Sequence, residues 1–356
     1  LSKISWNRSL KNLLAKNQGI EFQTRHTTNS LYRPFAASSV YFDRPVNDMV
    51  YQMPSMFPTP QHTNIGMIMT GPAAMYQYTC IATNLLPNLH TLHTGQFFPR
   101  FTWDKVDAPE GELNFGTAGT EKHSESSRFG EIGEIVDGYR RVDNITDEIK
   151  KRYREALGED VTGDDIFHYV YGQLHDPVYR ETYEADLKKM LPHIETPTDR
   201  ARFDQVAVAG KQLMDLHVGY EDVEPWPVTV EVKPSADPED PETWRVTALK
   251  WAKYRDPETK KLVNDVTRMI YNPNVTISDI PAEADEYMLG SRSALAWIID
   301  RYKVKKDKAS GIVNDPNDWA DEVGNPRYIA DLIAKVTRVA VETVRIVNNL
   351  QEPQVS

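Results

Sequence analysis

The chain has 356 residues, enough to bury a substantial core and build two or more subdomains, and its 40% hydrophobic and 26% charged content excludes wholesale disorder. Its formal net charge of −11 excludes a uniformly basic coat for nucleic acid, but the charge is uneven. Residues 1–105 hold nine Lys or Arg against four Asp or Glu, while the remainder holds 32 against 48, so a polyanion would be met by the front third.

The opening stretch, LSKISWNRSL onward, starts without methionine and carries Trp6, Leu10, Leu13 and Leu14 at helical spacing, which suggests a fragment of something longer that begins in a helix. Short β-branched or aromatic runs follow at Ser39–Phe42, Ile65–Thr70, Tyr76–Thr83 and Phe97–Trp103, punctuated by Pro, Gly and Asn. They predict a mainly antiparallel β unit over residues 1–140. Residues 107–133 are rich in Gly, Ser, Thr and charge and read as a long loop or mobile arm. The single cysteine, Cys80, lies in an apolar and aromatic run; it excludes an internal disulfide framework and reads as a small buried hydrophobe.

Residues 144–221 read as helical. Asn144 or Thr146 can cap a helix whose first turn holds Asp147 and Glu148. Asp176-Pro177 divides the next periodic run in two, because proline has no amide proton and suits a first helical turn. A further helix is predicted over 200–218. Residues 222–356 are mixed, with strands expected at Val228–Val232, Arg245–Ala252, Arg268–Tyr271 and Val275–Ile277. Helices follow at 281–289, 291–302 and 326–350, the last opened by Asn325-Pro326 and striped by Ile329, Leu332, Ile333 and Val336. The expected fold class is α+β, without repeats. No run of eighteen apolar residues exists and no secretory h-region opens the chain, so a cytoplasmic protein with no membrane contact is expected.

Motifs for chemistry are weak. No GxxxxGK[ST] is present, and Asn325-Pro326-Arg327-Tyr328 shares only letters with a methyltransferase tetrad and reads as a helix start. His90 and His93 lack the partner motif of a zinc site, and Asp315, Asn317 and Asp318 lack the glycine and closing glutamate of a calcium loop. Glu231-Val232-Lys233 matches half of a metal-dependent nuclease motif, a tripeptide common by chance. Lys303–Lys308, KVKKDK, is a basic cluster expected to follow a helix. No catalytic residue and no metal ligand is assigned.

Several ordered segments resemble one family. They are SLYRPFAASSVYFDRPVNDMVYQMPSMFP (30–58), IATNLLPNLHTLHTGQFFPRFTW (81–103), YVYGQLHDPVYR within 164–195, AGKQLMDLHVGYE (209–221) and GIVNDPNDWADEVGNPRYIADLIAKVTRVAVETVRIVNNL (311–350). Together the chain resembles the C-terminal specificity region of the single-polypeptide Type ISP restriction-modification enzymes. The resemblance implies a reader of double-stranded DNA that is not an enzyme by itself. It also implies a parent polypeptide carrying nuclease, helicase-like ATPase and adenine methyltransferase modules, the last being its partner across the DNA. S-adenosylmethionine, ATP and Mg would serve those modules, leaving this chain with no cofactor.

Reading DNA needs forked side chains for base edges and cations for phosphates, best presented on loops of a β framework. The candidates are Arg25, His26, Asn29, Arg33, Arg44, Asn47, Gln52, Gln96 and Arg100, with Lys122, His123, Ser126 and Arg128 from the arm. Arg33 and Arg44 also lie in the family-like blocks and are equally placed to brace the fold. Two other readings stand beside this one: a protein-interaction scaffold without DNA contact, and a metal-dependent nuclease centred on Glu231 and Lys233.

Overall fold

The computed structural model describes residues 6–47, 49–72, 74–106, 126–308 and 311–351; Lys122, His123 and most of the expected arm lie outside them. The fold is α+β. Helix α1 (Arg8–Ala15) is capped by Asn7, whose side chain accepts from Leu10 N at 2.7 Å, yet it buries no residue, so its leucine pattern does not face a core.

Strands β1 (Thr27–Arg33) and β2 (Ala36–Tyr41) form an antiparallel hairpin in register Thr27↔Tyr41 and Asn29↔Ser39. After a short helix α2 (Met53–Met56), strand β3 (Gly66–Met69) is flanked by β4 (Cys80–Thr83) and, beyond β5 (Leu86–Pro87), by β6 (Gln96–Pro99). β3 and β4 are buried throughout, which suits their near-continuous apolar sequences. β5 adds to β1 in parallel at Ser30 and Leu31. The expected single strand over Phe97–Trp103 is two, because Arg100 ends β6 and strand β7 (Phe101–Lys105) joins a different sheet. The arm returns through β8 (Ser126–Ser127) and β9 (Gly130–Glu131), then β10 (Ile135–Val136) and β11 (Tyr139–Asp143), the last pairing with β7.

The helical stretch comprises α3 (Asp147–Leu157), α4 (Gly163–Gln173), α5 (Pro177–Thr182), α6 (Glu184–Leu187) and α7 (Arg200–Val218). Its starts are chemically explicit. Thr146 caps α3, Thr162 and Asp165 form a capping box on α4, and Asp176 accepts from Val178 N at 2.8 Å ahead of Pro177. Helices α4 and α7 approach so closely that a Cβ on Gly210 would lie 1.9 Å from His168 O, and one on Gly172 would lie 2.3 Å from Val206 O.

In the third stretch, β12 (Thr229–Val232), β13 (Lys250–Arg255), β14 (Leu262–Ile270) and β15 (Val275–Ser278) make an antiparallel sheet in the order β12-β15-β14-β13. The helix expected at 281–289 is instead a 3₁₀ turn, Ala282–Glu286, followed by β16 (Met288–Leu289), which pairs with β17 (Arg292–Ser293) across Gly290 at φ +72°. Then come α8 (Ala294–Arg301), β18 (Lys305–Lys306), β19 (Val313–Asn314), α9 (Asn317–Glu322) and α10 (Tyr328–Gln351). The basic run over 303–308 therefore enters a hairpin instead of merely trailing a helix, with Lys305 and Lys306 exposed.

The three stretches do not keep separate cores. Leu31, Phe35, Ile68 and Ile81 pack with Trp244, Met269, Leu295 and Ile333, while Met67, Cys80 and Ala82 pack with Phe167, Tyr171 and Leu213. A third cluster joins Tyr153, Tyr169 and Phe203 to Leu350 of α10. No described helix is long and apolar enough to cross a membrane.

Between β4, α4, α7 and α10 lies a buried polar chain. Tyr171 Oη accepts from Ala82 N at 2.7 Å and meets His217 Nδ1 at 2.5 Å, and His217 Nε2 reaches Thr343 Oγ1 at 2.9 Å. His175 Nδ1 donates to Tyr171 O at 2.9 Å, and the ring lies beside the Cys80 sulfur, 3.6 Å from Nδ1 and 3.8 Å from Nε2. Burial holds His217 down at about 3 and His175 well below its ordinary value, with Arg180 acting in the same direction. His168, under Arg128, is lowered to about 4, chiefly by burial. These imidazoles are neutral in the folded chain. An unfolded histidine binds a proton below about pH 6.5, so their contribution is fully present above that pH and is lost as pH falls toward the folded values. Urea unfolding is expected to show His217 alone costing about 2 kcal/mol between pH 7 and 5. A stability that does not decline over that interval would refute the neutral network.

Candidate nucleic-acid interface

Most of the exposed polar candidates converge on the hairpin β1–β2 and its approaches. The 3₁₀ turn Thr24–His26 leads into β1, and Phe42 N donates to His26 O at 2.7 Å, extending the ladder past β2. Phe22 stacks on Tyr41 at 5.2 Å, and Tyr41 Oη accepts from Gln23 N at 3.1 Å, so the turn is held against the strand that follows. This fixes Arg25 at the hairpin's open end. Its Nε donates to Gln23 Oε1 at 2.8 Å and its carbonyl accepts from Gln61 Nε2 at 2.9 Å, and it pairs with no carboxylate among the described residues.

His26 lies 3.5 Å from Asp43, which occupies one of only two carboxylates between residues 20 and 47, the other being Glu21. Asn29 is exposed beside exposed Ser39, its register partner. Arg44 is exposed just beyond β2. The hairpin thus displays short polar side chains between two cations at one end and Arg33 at the other. That composition suits a phosphate-flanked surface.

The remaining candidates divide. Asn47 is committed to its own loop, accepting from Asp43 N at 2.8 Å, while Gln52 is exposed just before α2. Gln96 is exposed at the start of β6. Ser126 is a hairpin residue opposite Glu131. Arg128 is exposed but pairs with Asp215 and lies 4.5 Å over the Phe129 ring, so its charge is already engaged.

Arg100 corrects the expectation most clearly, since it is 1% exposed. Its guanidinium pairs with Asp143 and, through Nε, with Asp164 at 2.9 Å. Asp164 also accepts from Ser127 Oγ at 2.7 Å and Arg128 N at 2.9 Å, and Asp143 takes Lys150 Nζ at 3.1 Å. A guanidinium desolvated between two carboxylates is a brace for β7, β11 and α4 and lies too deep to meet a phosphate. Gly163 permits it, since a Cβ there would sit 2.6 Å from Arg100 Nη2.

Other chemistry does not assemble. Glu231 pairs with Arg268 at 3.1 Å, and among the described residues no group of three or more His, Cys, Asp or Glu is placed to hold a metal ion. Cys80 is fully buried, which pushes its thiol up to about 11 and away from nucleophilic use. Asn325 accepts from Arg327 N at 2.9 Å ahead of α10, a helix-start role. Sequence reading missed strand β1 itself and the residues Tyr76, Arg292 and Trp297, which with Arg33 line one pocket. No local signal marks Arg292, which long-range packing carries toward β1.

Fold and site together define an α+β scaffold that displays a polar ribbon, the class of a binding module. The chain belongs to the family of Type ISP C-terminal specificity domains, whose model matches residues 1–332. It is similar to the structure described as "ATP-dependent Type ISP restriction-modification enzyme LlaBIII bound to DNA", with 25% identity and a TM-score of 0.78, covering 100% of this chain and 20% of that one. It is also similar to a nuclease-deletion mutant of the Type ISP enzyme LlaGI in complex with a DNA substrate mimic, with 30% identity, a TM-score of 0.73 and coverage of 100% and 27%. A DrdV–DNA complex aligns with 29% identity and a TM-score of 0.75, covering 99% and 31%. The chain therefore spans between a fifth and a third of the length of these proteins. No curated protein sequence matches it.

Proposed function

We propose that this chain selects a site on double-stranded DNA as the specificity part of a larger restriction-modification polypeptide. The observation that carries the reading is the β1–β2 ribbon, with Asn29 and Ser39 side by side and Arg25 and Arg44 near its open end. A two-stranded ribbon fits the B-DNA major groove, where Asn can bridge adenine N6 and N7, and cations at the ribbon's ends meet the phosphates. Family membership and the DNA in the related structures support the same conclusion. In this reading nuclease, ATPase and adenine methyltransferase modules elsewhere in the parent polypeptide use Mg, ATP and S-adenosylmethionine, and the methyltransferase is the partner across the DNA.

The test is retention of a randomised duplex pool by the chain across a salt series, followed by sequencing. One short enriched site is expected. Asn29→Ala should relax a single base position by about 1–3 kcal/mol of discrimination. Arg44→Ala should instead weaken all sequences alike and lower the slope of log K against log salt by roughly 0.9. No retention at any salt would sink the reading for the isolated chain and leave the scaffold alternative.

A further inference from the structure

At the far end of β1 from Arg25 lies a pocket of about 230 Å³ whose lining includes Arg33, Arg292, His90, His93, Tyr76 and Trp297. No carboxylate among the described residues lines it, in a chain whose net charge is −11. The larger groove lined by Arg301 is of mixed charge, with Asp300, Asp307, Asp315, Asp318 and Glu322 beside Arg301, Lys303 and Lys305.

Both pocket arginines are positioned by aromatic rings. Arg33 lies 4.3 Å over Tyr32 and spends Nη1 on Tyr32 O at 2.6 Å; Arg292 lies 4.9 Å over Trp297, whose Nε1 is anchored on Leu289 O at 2.9 Å. Neither forms an ion pair with a carboxylate among the described residues, although the charge of Asp300, itself paired with Arg301 and Lys303, reaches both. Burial lowers the pKa of Arg33, with Arg301 adding to the effect and Tyr32 and Asp300 opposing it. His93 packs edge-on against Tyr76 at 5.7 Å, closing the opposite wall. The volume is below the ~300–1,000 Å³ of pockets for drug-sized ligands but admits a tetrahedral oxyanion. Forked guanidiniums match such an oxyanion geometrically.

We propose that this pocket grips one phosphate of the DNA backbone at the border of the site read by the β1–β2 ribbon. The assignment rests on the DNA-reading function of that ribbon. Its spacing supports the backbone as the source: four residues of extended chain separate Asn29 from Arg33, about 13 Å. From a residue reading bases in a groove ~12 Å wide the rim is roughly 6 Å away, so Arg33, beyond the bulge between Leu31 and Arg33, reaches past the rim to the flanking backbone.

The experiment uses the duplex selected from the pool, with each phosphate near the site replaced in turn by a neutral methylphosphonate. Wild type and Arg33→Ala/Arg292→Ala are compared, with Arg292→Gln as a milder variant should the double variant fold poorly. One phosphate position is expected whose neutralisation weakens wild-type binding roughly tenfold or more and leaves the double variant unaffected. The enriched sequence should be the same for both proteins. Equal losses in wild type and variant at every position would overturn the proposal.

Inorganic phosphate and ATP are titrated in parallel while the imidazole resonances of His90 and His93 are followed. Shifts that vanish in the double variant, together with unchanged DNA binding, would make a free phosphate compound the ligand and overturn the backbone assignment. If wild type retains no DNA, the function of the ribbon fails first. The pocket then stands or falls as a phosphate site on the imidazole shifts alone.

Discussion

Arg100→Met is expected to destabilise the chain by about 3 kcal/mol in urea unfolding, the lower end of the ~3–5 kcal/mol typical when one member of a buried ion cluster is removed. Lys150 remains 3.1 Å from Asp143, and Ser127 Oγ and Arg128 N still serve Asp164, which keeps the loss from being larger. Adding Asp164→Asn to Arg100→Met should recover part of the loss, because the residual cost is an uncompensated carboxylate. Arg100→Lys should restore little, since a single ammonium cannot bridge two carboxylates as the guanidinium fork does. A loss below about 1 kcal/mol would mean that the cluster is solvated. Under conditions where the variant stays folded, its DNA salt slope should equal that of wild type, separating the brace from the phosphate contacts.

Gly210→Ala is the second large effect, and its sign runs against helix propensity. At an unconstrained helical position the exchange would stabilise by about 1 kcal/mol. Here the new methyl meets His168 O at 1.9 Å and Gly172 N at 2.7 Å, both backbone atoms of α4 that no rotamer change can move. Separating α4 from α7 also loosens Leu213 and Phe167 in one core and Val206 and Ile166 in another. A net loss of about 3 kcal/mol is expected, at the upper end for overpacking. Gly19→Ala, with nothing within 4 Å, is the control and should stay within about 0.5 kcal/mol of wild type. Equal midpoints for the two variants would show that the helices part without strain.

What the sequence disclosed was what nearby residues decide. The cap at Thr146, the break at Asp176-Pro177, the limits of α7 and the start of α10 all follow from side chains within four positions of the feature. The family-like segments also carried the identity of the chain. Arg100 shows where local reading ends: QFFPRFTW is a continuous β pattern, and what divides it is a charge cluster completed by Asp143 and Asp164, 43 and 64 residues away. Strand β1 was missed because TTNSLYR mixes polar and apolar residues, and its pairing with β2 and β5 supplies what its composition lacks. The site divided along the same line. Arg25, Asn29 and Arg44 could be named as candidates because exposed polar residues in a basic segment are visible one by one, whereas Arg292 reaches Arg33 only through tertiary packing.

Helix α10 contributes to all three apolar clusters, from Ile329 to Val341 in one and through Ile346, Val347 and Leu350 in the others. During synthesis on a ribosome, the ribbon of residues 27–41 emerges long before the strut that completes the packing beneath it. A product broken off ahead of residue 328 would carry three open apolar surfaces instead of a weakened reader, and quality control would meet it as an unfolded chain. The apolar packing beneath the ribbon thus stays open until residues 328–351 have been made.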